Sequence, residues 1–110
     1  MSDSDVVLVL CTAPVVEART LVDALLSERL IACANLLGPV TSRYWWQGAI
    51  EEGQELVLLM KTTRPIAPRL RARIAELHSY DVPEVLEFAV DGGLPAYLEW
   101  VAASCREGPG

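Results

Sequence analysis

Basic side chains are scarce in this sequence. Its 110 residues include 9 Lys or Arg against 15 Asp or Glu, a formal net charge of −6 at pH 7. A chain of this sign is not attracted to phosphate backbones or to anionic lipid headgroups. The Lys/Arg-Gly-Phe/Tyr strand motif of RNA-recognition domains is also absent. We therefore predict no nucleic-acid partner and no membrane partner.

Cysteine, histidine and long apolar runs are also sparse. The three cysteines, Cys11, Cys33 and Cys105, are odd in number and far apart, which argues against a disulfide framework. Residues 1–5 lack the positive start of a secretory signal. No apolar segment approaches the roughly 18 residues that span a bilayer. These features predict reduced thiols and a cytoplasmic protein.

The order of apolar runs predicts one domain, residues 1–110, of the α+β class. Helical spacing of apolar residues marks helices over about 14–29, 66–77 and 95–105, and apolar or alternating runs mark strands over 6–11, 30–37, 55–61 and 84–90, with a second extended piece over 41–46 after a break at Gly38-Pro39. The order β-α-β-β-α-β is the signature of the ferredoxin-like sandwich, an antiparallel sheet with two helices on one face. An extended hairpin around 44–55 and a C-terminal helix complete the prediction.

Both faces of the predicted sheet are apolar. Residues 6–11 and 56–60 are hydrophobic at consecutive positions, whereas a strand with one wet face alternates polar and apolar residues. The two helices cover only one face. We therefore predict that other copies of the chain cover the second face, with the hairpin as an arm that reaches them.

Three residues that could bind a metal fall at one edge of the predicted sheet: Cys11, His78 and Glu84. A thiolate, an imidazole and a carboxylate suit copper or zinc, and a helix starting near Thr12 would favour the thiolate form of Cys11. The plainer interpretations are a small buried thiol and a histidine that binds the last carbonyls of its helix. No C-x-x-C or H-x-x-x-H spacing occurs to decide between them.

Aromatic and basic residues cluster elsewhere. Five of the seven aromatic residues lie in 44–46 and at Tyr97 and Trp100. Such clusters are typical of a subunit interface. Stacking on nucleic-acid bases is the alternative, which the negative charge of the chain disfavours. Five of the nine basic residues fall in 61–73, a pattern typical of a solvated helix face. An anion site that uses Lys61 at the start of the second helix is the alternative. No nucleophile and base stand together in a way that predicts an enzyme.

Six separated segments of the sequence form a pattern: Val9-Leu10-Cys11-Thr12-Ala13-Pro14, Ala32-Cys33-Ala34-Asn35, Ser42-Arg43-Tyr44-Trp45-Trp46-Gln47-Gly48, Lys61-Thr62-Thr63, His78-Ser79-Tyr80-Asp81-Val82-Pro83-Glu84 and Tyr97-Leu98-Glu99-Trp100. In their order and spacing these segments resemble the CutA divalent-cation tolerance proteins. The similarity covers about residues 6–104.

The resemblance implies a ferredoxin-like subunit in a tight cytoplasmic homotrimer, linked to tolerance of copper and other divalent metals. It places the family's metal ligands on Cys11, His78 and Glu84, with copper or another divalent metal as a bound ion that folding does not require. Further pattern residues would line a cleft between subunits: Trp46, Lys61, Tyr80, Tyr97 and Trp100.

One departure from the family pattern concerns the histidine. The family commonly has proline directly after it, whereas Ser79 stands here and restricts the backbone less. A competing interpretation is a trimeric signalling module similar to the PII proteins, which bind small ligands between subunits. In that interpretation the ligand-binding residues would be Lys61, Tyr80, Glu84 and Trp100 rather than Cys11. An enzyme would need Cys11 as its nucleophile and ranks third.

Overall fold

Four strands and three helices follow one another along residues 4–106, the part of the chain that the computed structural model describes. They run in the order β1 (Val6–Pro14), α1 (Val15–Ser27), β2 (Cys33–Trp46), β3 (Ala49–Thr63), α2 (Ala67–Leu77), β4 (Val85–Ala89) and α3 (Pro95–Ser104). The strands form one sheet in the order β2-β3-β1-β4, and each neighbouring pair is antiparallel. The predicted α+β ferredoxin-like sandwich with a third, C-terminal helix is confirmed.

The end of β1 differs from its prediction. The strand continues to Pro14, which pairs with Glu55, because the backbone at Pro14 stays extended at φ −53° and ψ 142°. The first helix therefore begins at Val15, without a side-chain cap. Thr12, expected near a helix start, lies within the β1–β3 ladder opposite Val57 and is buried.

The β2–β3 hairpin is longer and more continuous than predicted. The predicted break near Gly38 is a shift of register between Leu37 and Val40 within a single strand. The reversal uses Gln47 and Gly48, both at positive φ, which is the geometry of a type I′ hairpin turn. We call its distal part, residues 41–55, the arm; the described residues extend 44 Å along their longest axis.

One face of the sheet and the helices enclose the core. Alternate residues of the two central strands, Val9 and Cys11 on β1 and Leu58 and Met60 on β3, are completely buried. They belong to the same hydrophobic cluster as Leu25 on α1 and Leu70 and Ile74 on α2. The helical spacing of these apolar residues explains why α1 and α2 pack on this face.

The opposite face of the sheet (the open face) carries the other set of alternating side chains. The paired residues Leu10, Leu59 and Leu86 lie on it, as do Leu8, Lys61 and Phe88. Leu86 and Phe88 are 50% and 47% exposed. The Lys61 ammonium donates to Asn35 Oδ1 and to the carbonyl of Leu59 at 3.4 Å. A largely apolar surface that also carries Lys61 and Asn35 therefore remains partly exposed in a single chain.

Two of the three basic residues of α2, Arg71 and Arg73, pair with acidic side chains. Arg71 forms an ion pair with Glu87 of β4, and Arg73 donates through Nε and Nη2 to both carboxylate oxygens of Glu28. Because Lys61 lies on the open face, it does not approach the start of α2. An anion site there would therefore not use Lys61, and Arg71 and Arg73 help to fix α2 against its neighbours.

Replacing Gly38 by alanine should destabilise the fold. Gly38 has φ +119°, and an added Cβ would lie 2.7 Å from the backbone nitrogen of Val40. A non-glycine residue held in such a backbone conformation costs about 1–3 kcal/mol. We expect Gly38→Ala to lower the free energy of unfolding in guanidinium titrations by about this amount.

Gly92→Ala is the matched control, because nothing lies within 4 Å of its added Cβ and its φ is not positive. Equal stability of the two variants would contradict the assignment of strain to the β2 bulge.

Candidate functional site

The Thr12 carbonyl joins two of the three predicted metal ligands. It accepts a hydrogen bond from His78 Nε2 at 2.7 Å and one from the Cys11 thiol at 3.5 Å. His78 Nδ1 in turn accepts the backbone N–H of Tyr80 at 3.1 Å. These partners assign the ring proton to Nε2, so both nitrogens of His78 are already engaged.

Cys11 is buried and electrostatically disfavoured as a thiolate. Its exposed fraction is 0%. Burial, followed by the negative charges of Glu84 and Glu55, raises the pKa of the Cys11 thiol to about 12. The expectation that a nearby helix start favours the thiolate is wrong, because α1 begins at Val15 and these opposing effects dominate.

Glu84 is exposed and stands next to Val85, which pairs with Cys11. The topology thus brings Cys11, His78 and Glu84 to one edge of the sheet (the rim), as predicted. Within residues 4–106, however, no group of three His, Cys, Asp or Glu side chains could hold a metal ion as arranged. A metal site at the rim stays a prediction.

Ser79 anchors the segment that follows α2. Its hydroxyl donates to Glu17 Oε1 of α1 at 2.6 Å, and its backbone N–H points to the same oxygen at 3.4 Å. The imidazole of His78 lies against the ring of Tyr80, with centroids 4.6 Å apart. The serine therefore holds the backbone before Tyr80 through side-chain contacts rather than through a proline ring.

A cleft of about 690 Å³ opens between the arm and the loop 80–84. Four aromatic side chains line it, three from the arm and one from the loop: Tyr44, Trp45, Trp46 and Tyr80. Three carboxylates, Glu55, Asp81 and Glu84, share the wall with one guanidinium, Arg43, and with Thr12, Ser42 and Val82. The size suits a small organic ligand.

Glu55 and Tyr80 form the polar base of this cleft. Glu55 is only 6% exposed, and its Oε2 accepts a hydrogen bond from the Tyr80 hydroxyl at 3.0 Å. Burial, the hydrogen bond to Glu55 and the negative charge of the Glu55 carboxylate raise the pKa of Tyr80 to about 12. Tyr80 therefore remains a neutral hydrogen-bond donor across the physiological pH range.

The residues predicted for an inter-subunit cleft do not all meet within one chain. Trp46 and Tyr80 line the cleft. Lys61 lies on the open face. Tyr97 and Trp100 stack on each other along α3 with ring centroids 5.6 Å apart, and the Tyr97 hydroxyl lies 3.3 Å from Cys33 Sγ. Within a single chain these three residues lie away from the cleft.

Glu55 is the main residue that the sequence did not single out. It stands at the polar start of an apolar run, where a carboxylate normally faces solvent. Its partner Tyr80 is 25 residues away, so no local pattern links the two. Arg43 and Asp81 lie within the segments that resemble the family, but nothing in their spacing indicated that both would line the same cleft.

The antiparallel sheet, its helices and the rim define a ferredoxin-like protein with a cleft above one sheet edge. A family model described as the CutA1 divalent ion tolerance protein matches residues 7–104. The chain belongs to this family of divalent-cation tolerance proteins.

Relatives of known sequence or structure agree with this assignment. The divalent-cation tolerance protein CutA of Thermus thermophilus is 47% identical over 94 residues, which are 84% of this chain and 91% of the relative. The solved structure of Cut A1 from the same species matches with a TM-score of 0.88 and 42% identity over 92% of this chain and 99% of that chain.

A third relative is the structure named as the periplasmic divalent cation tolerance protein CutA from Archaeoglobus fulgidus. It matches with a TM-score of 0.86 and 30% identity, covering 90% of this chain and 97% of that chain.

In residues 4–106, none of the helices combines the length and the apolar character that crossing a membrane requires.

The Cys11 thiol should resist alkylation in the native protein. With a pKa of about 12, only about one thiol in ten thousand is a thiolate at pH 8, and the side chain is also buried. We expect peptide mapping after iodoacetamide treatment to find Cys11 unmodified in native protein between pH 7 and 9, and fully modified after denaturation. Native labelling of Cys11 at the rate of a free thiol would contradict this burial.

Proposed function

We propose that the protein contributes to divalent-cation tolerance as a homotrimer that binds divalent cations, copper among them, at the rim. The electrostatic sign of the rim carries this proposal. Burial first, and then the negative charges of Glu84 and Glu55, raise the pKa of Cys11, and the same two carboxylates attract a metal cation. The ligand types, a thiol, an imidazole and a carboxylate, suit copper or zinc.

Metal binding at the rim requires local rearrangement. Cys11 must release its proton, and His78 must give up its bond to either the Thr12 carbonyl or the Tyr80 N–H. A cation supports the first change because coordination deprotonates a thiol. The proposal therefore predicts that metal binding releases protons and moves the 78–84 segment.

Calorimetric titration with Zn(II) and Cu(II) tests the rim. Zn(II) has no redox chemistry of its own and separates binding from thiol oxidation. We expect proton release, read from two buffers of different ionisation enthalpy, and at least a tenfold loss of affinity in each of Cys11→Ala, His78→Ala and Glu84→Gln.

Cys33→Ala is the matched thiol control and should bind metal like the wild type, because Cys33 contacts Tyr97 on α3. Unchanged affinity in Cys11→Ala would remove Cys11 from the site. Loss in Cys33→Ala would move the site to the other thiol.

The open face supports a homotrimer. In a single chain Leu86 and Phe88 are half-exposed, and Leu37 on β2 is 43% exposed. Burying this contiguous apolar surface stabilises an assembly by roughly 25 cal/mol per Å² before the costs of association. Copies of the same chain are the proposed cover, since each carries the same face.

A charge on the open face should dissociate the oligomer. Phe88→Asp places a carboxylate where the proposed subunits meet, and burying an unpaired charge is strongly unfavourable. We expect sedimentation velocity at micromolar concentration to give a trimer for the wild type and smaller species for Phe88→Asp.

Val16→Asp is the control, because Val16 on α1 is 92% exposed, and it should sediment like the wild type. A folded monomeric wild type would contradict the proposed trimer.

A second candidate function is a signalling module similar to the PII proteins that binds a small ligand. The cleft favours it, since about 690 Å³ lined by aromatic and charged side chains is of the size and chemistry of a ligand site. Both functions are non-enzymatic, and we expect no turnover.

The cytoplasmic location stays a prediction that cell fractionation tests.

A further inference from the structure

We propose that the cleft between the arm and the loop 80–84 binds a small organic ammonium cation. The inference rests on the second candidate function, ligand binding in this cleft, and adds the chemical class of the ligand. It does not depend on metal binding by Cys11 or His78, neither of which lines the cleft.

Charge sets the sign of the ligand. Glu55, Asp81 and Glu84 line the cleft against the single guanidinium of Arg43. Arg43 is itself paired, with its Nε 3.4 Å from Glu52 Oε1, and Glu52 lies outside the cleft wall. The formal charge of the wall is negative, which favours a cation and opposes nucleotides, carboxylates and other anions.

Aromatic side chains set the kind of cation. The electron-rich faces of Trp and Tyr attract alkylammonium groups, and aromatic walls combined with carboxylates are the usual recognition of quaternary and methylated amines. Tyr44, Trp45, Trp46 and Tyr80 supply such a wall. A bare divalent metal gains little from it, and the three cleft carboxylates do not form a metal-ligating group as they are arranged in residues 4–106.

Glu55 supplies a fixed, mostly buried carboxylate at the base of the cleft. It is more than nine-tenths buried, yet within residues 4–106 its carboxylate accepts a hydrogen bond only from Tyr80, at Oε2. Oε1 therefore has no donor from the described chain. No buried side-chain oxygen of residues 4–106 lacks a hydrogen-bond partner, so Oε1 is accessible to solvent, and an ammonium group in the cleft would supply its donor and counter-charge.

Choline is the probe, and 3,3-dimethylbutan-1-ol is its uncharged isostere. Binding to the purified wild-type assembly is measured by saturation-transfer NMR on the methyl protons and by quenching of tryptophan fluorescence. We expect choline to bind and the neutral alcohol to bind at least tenfold more weakly. Glu55→Gln, which keeps the shape and an acceptor for Tyr80, should weaken choline binding at least tenfold.

Glu51→Gln is the matched control, since Glu51 is an exposed arm carboxylate that neither lines the cleft nor pairs with Arg43, and it should bind choline like the wild type. Equal binding of choline and the alcohol would overturn the ammonium assignment while leaving ligand binding in the cleft intact. No binding of either probe, as when a neighbouring copy fills the cleft, overturns the inference itself. Neither outcome alters the metal titrations of Cys11→Ala.

Discussion

The hydrogen bonds to the Thr12 carbonyl connect the parts of the molecule that make the site. This oxygen lies near the end of β1 and accepts both the His78 imidazole and the Cys11 thiol. Through His78 it fixes the end of α2, and through the bond from Tyr80 to His78 it fixes the start of the following loop. The cleft, the rim and the anchor at Glu55 all depend on that placement.

The rim and the cleft place opposite demands on the same few side chains. In the proposed functions, metal binding at the rim needs Cys11 to release its proton and His78 to give up one of the bonds that hold the loop, whereas ligand binding in the cleft needs the loop to stay where it is. Glu84 takes part in both, as a rim carboxylate and as a cleft wall. Occupation of one site should therefore alter the other through His78 and Tyr80, which is the condition for coupling between two ligands.

The order of the elements was predictable because apolar periodicity is a local property of the sequence. The whole β-α-β-β-α-β order and the meeting of Cys11, His78 and Glu84 at one edge followed from it. The boundaries near Pro14 and Gly38 were less predictable, since pairing with β3 extends β1 and β2 past residues that usually interrupt a strand. Tertiary pairing overrode the local signal there.

Side-chain chemistry at the site was beyond the reach of sequence patterns. The protonation of Cys11 depends on burial and on two carboxylates from other elements, and the Tyr80–Glu55 pair joins a loop to a strand 25 residues away. Likewise, Lys61 could be placed on a strand but not on a face until its register with Leu8 was known.

The edges of the sheet have a consequence for the newly made chain. Both β2 and β4 end the strand order with one unpaired side, and Trp45 at the tip of the hairpin is 73% exposed. Open strand edges of this kind recruit any extended polypeptide they meet. The net charge of −6 opposes such non-specific pairing, because copies of the chain repel one another.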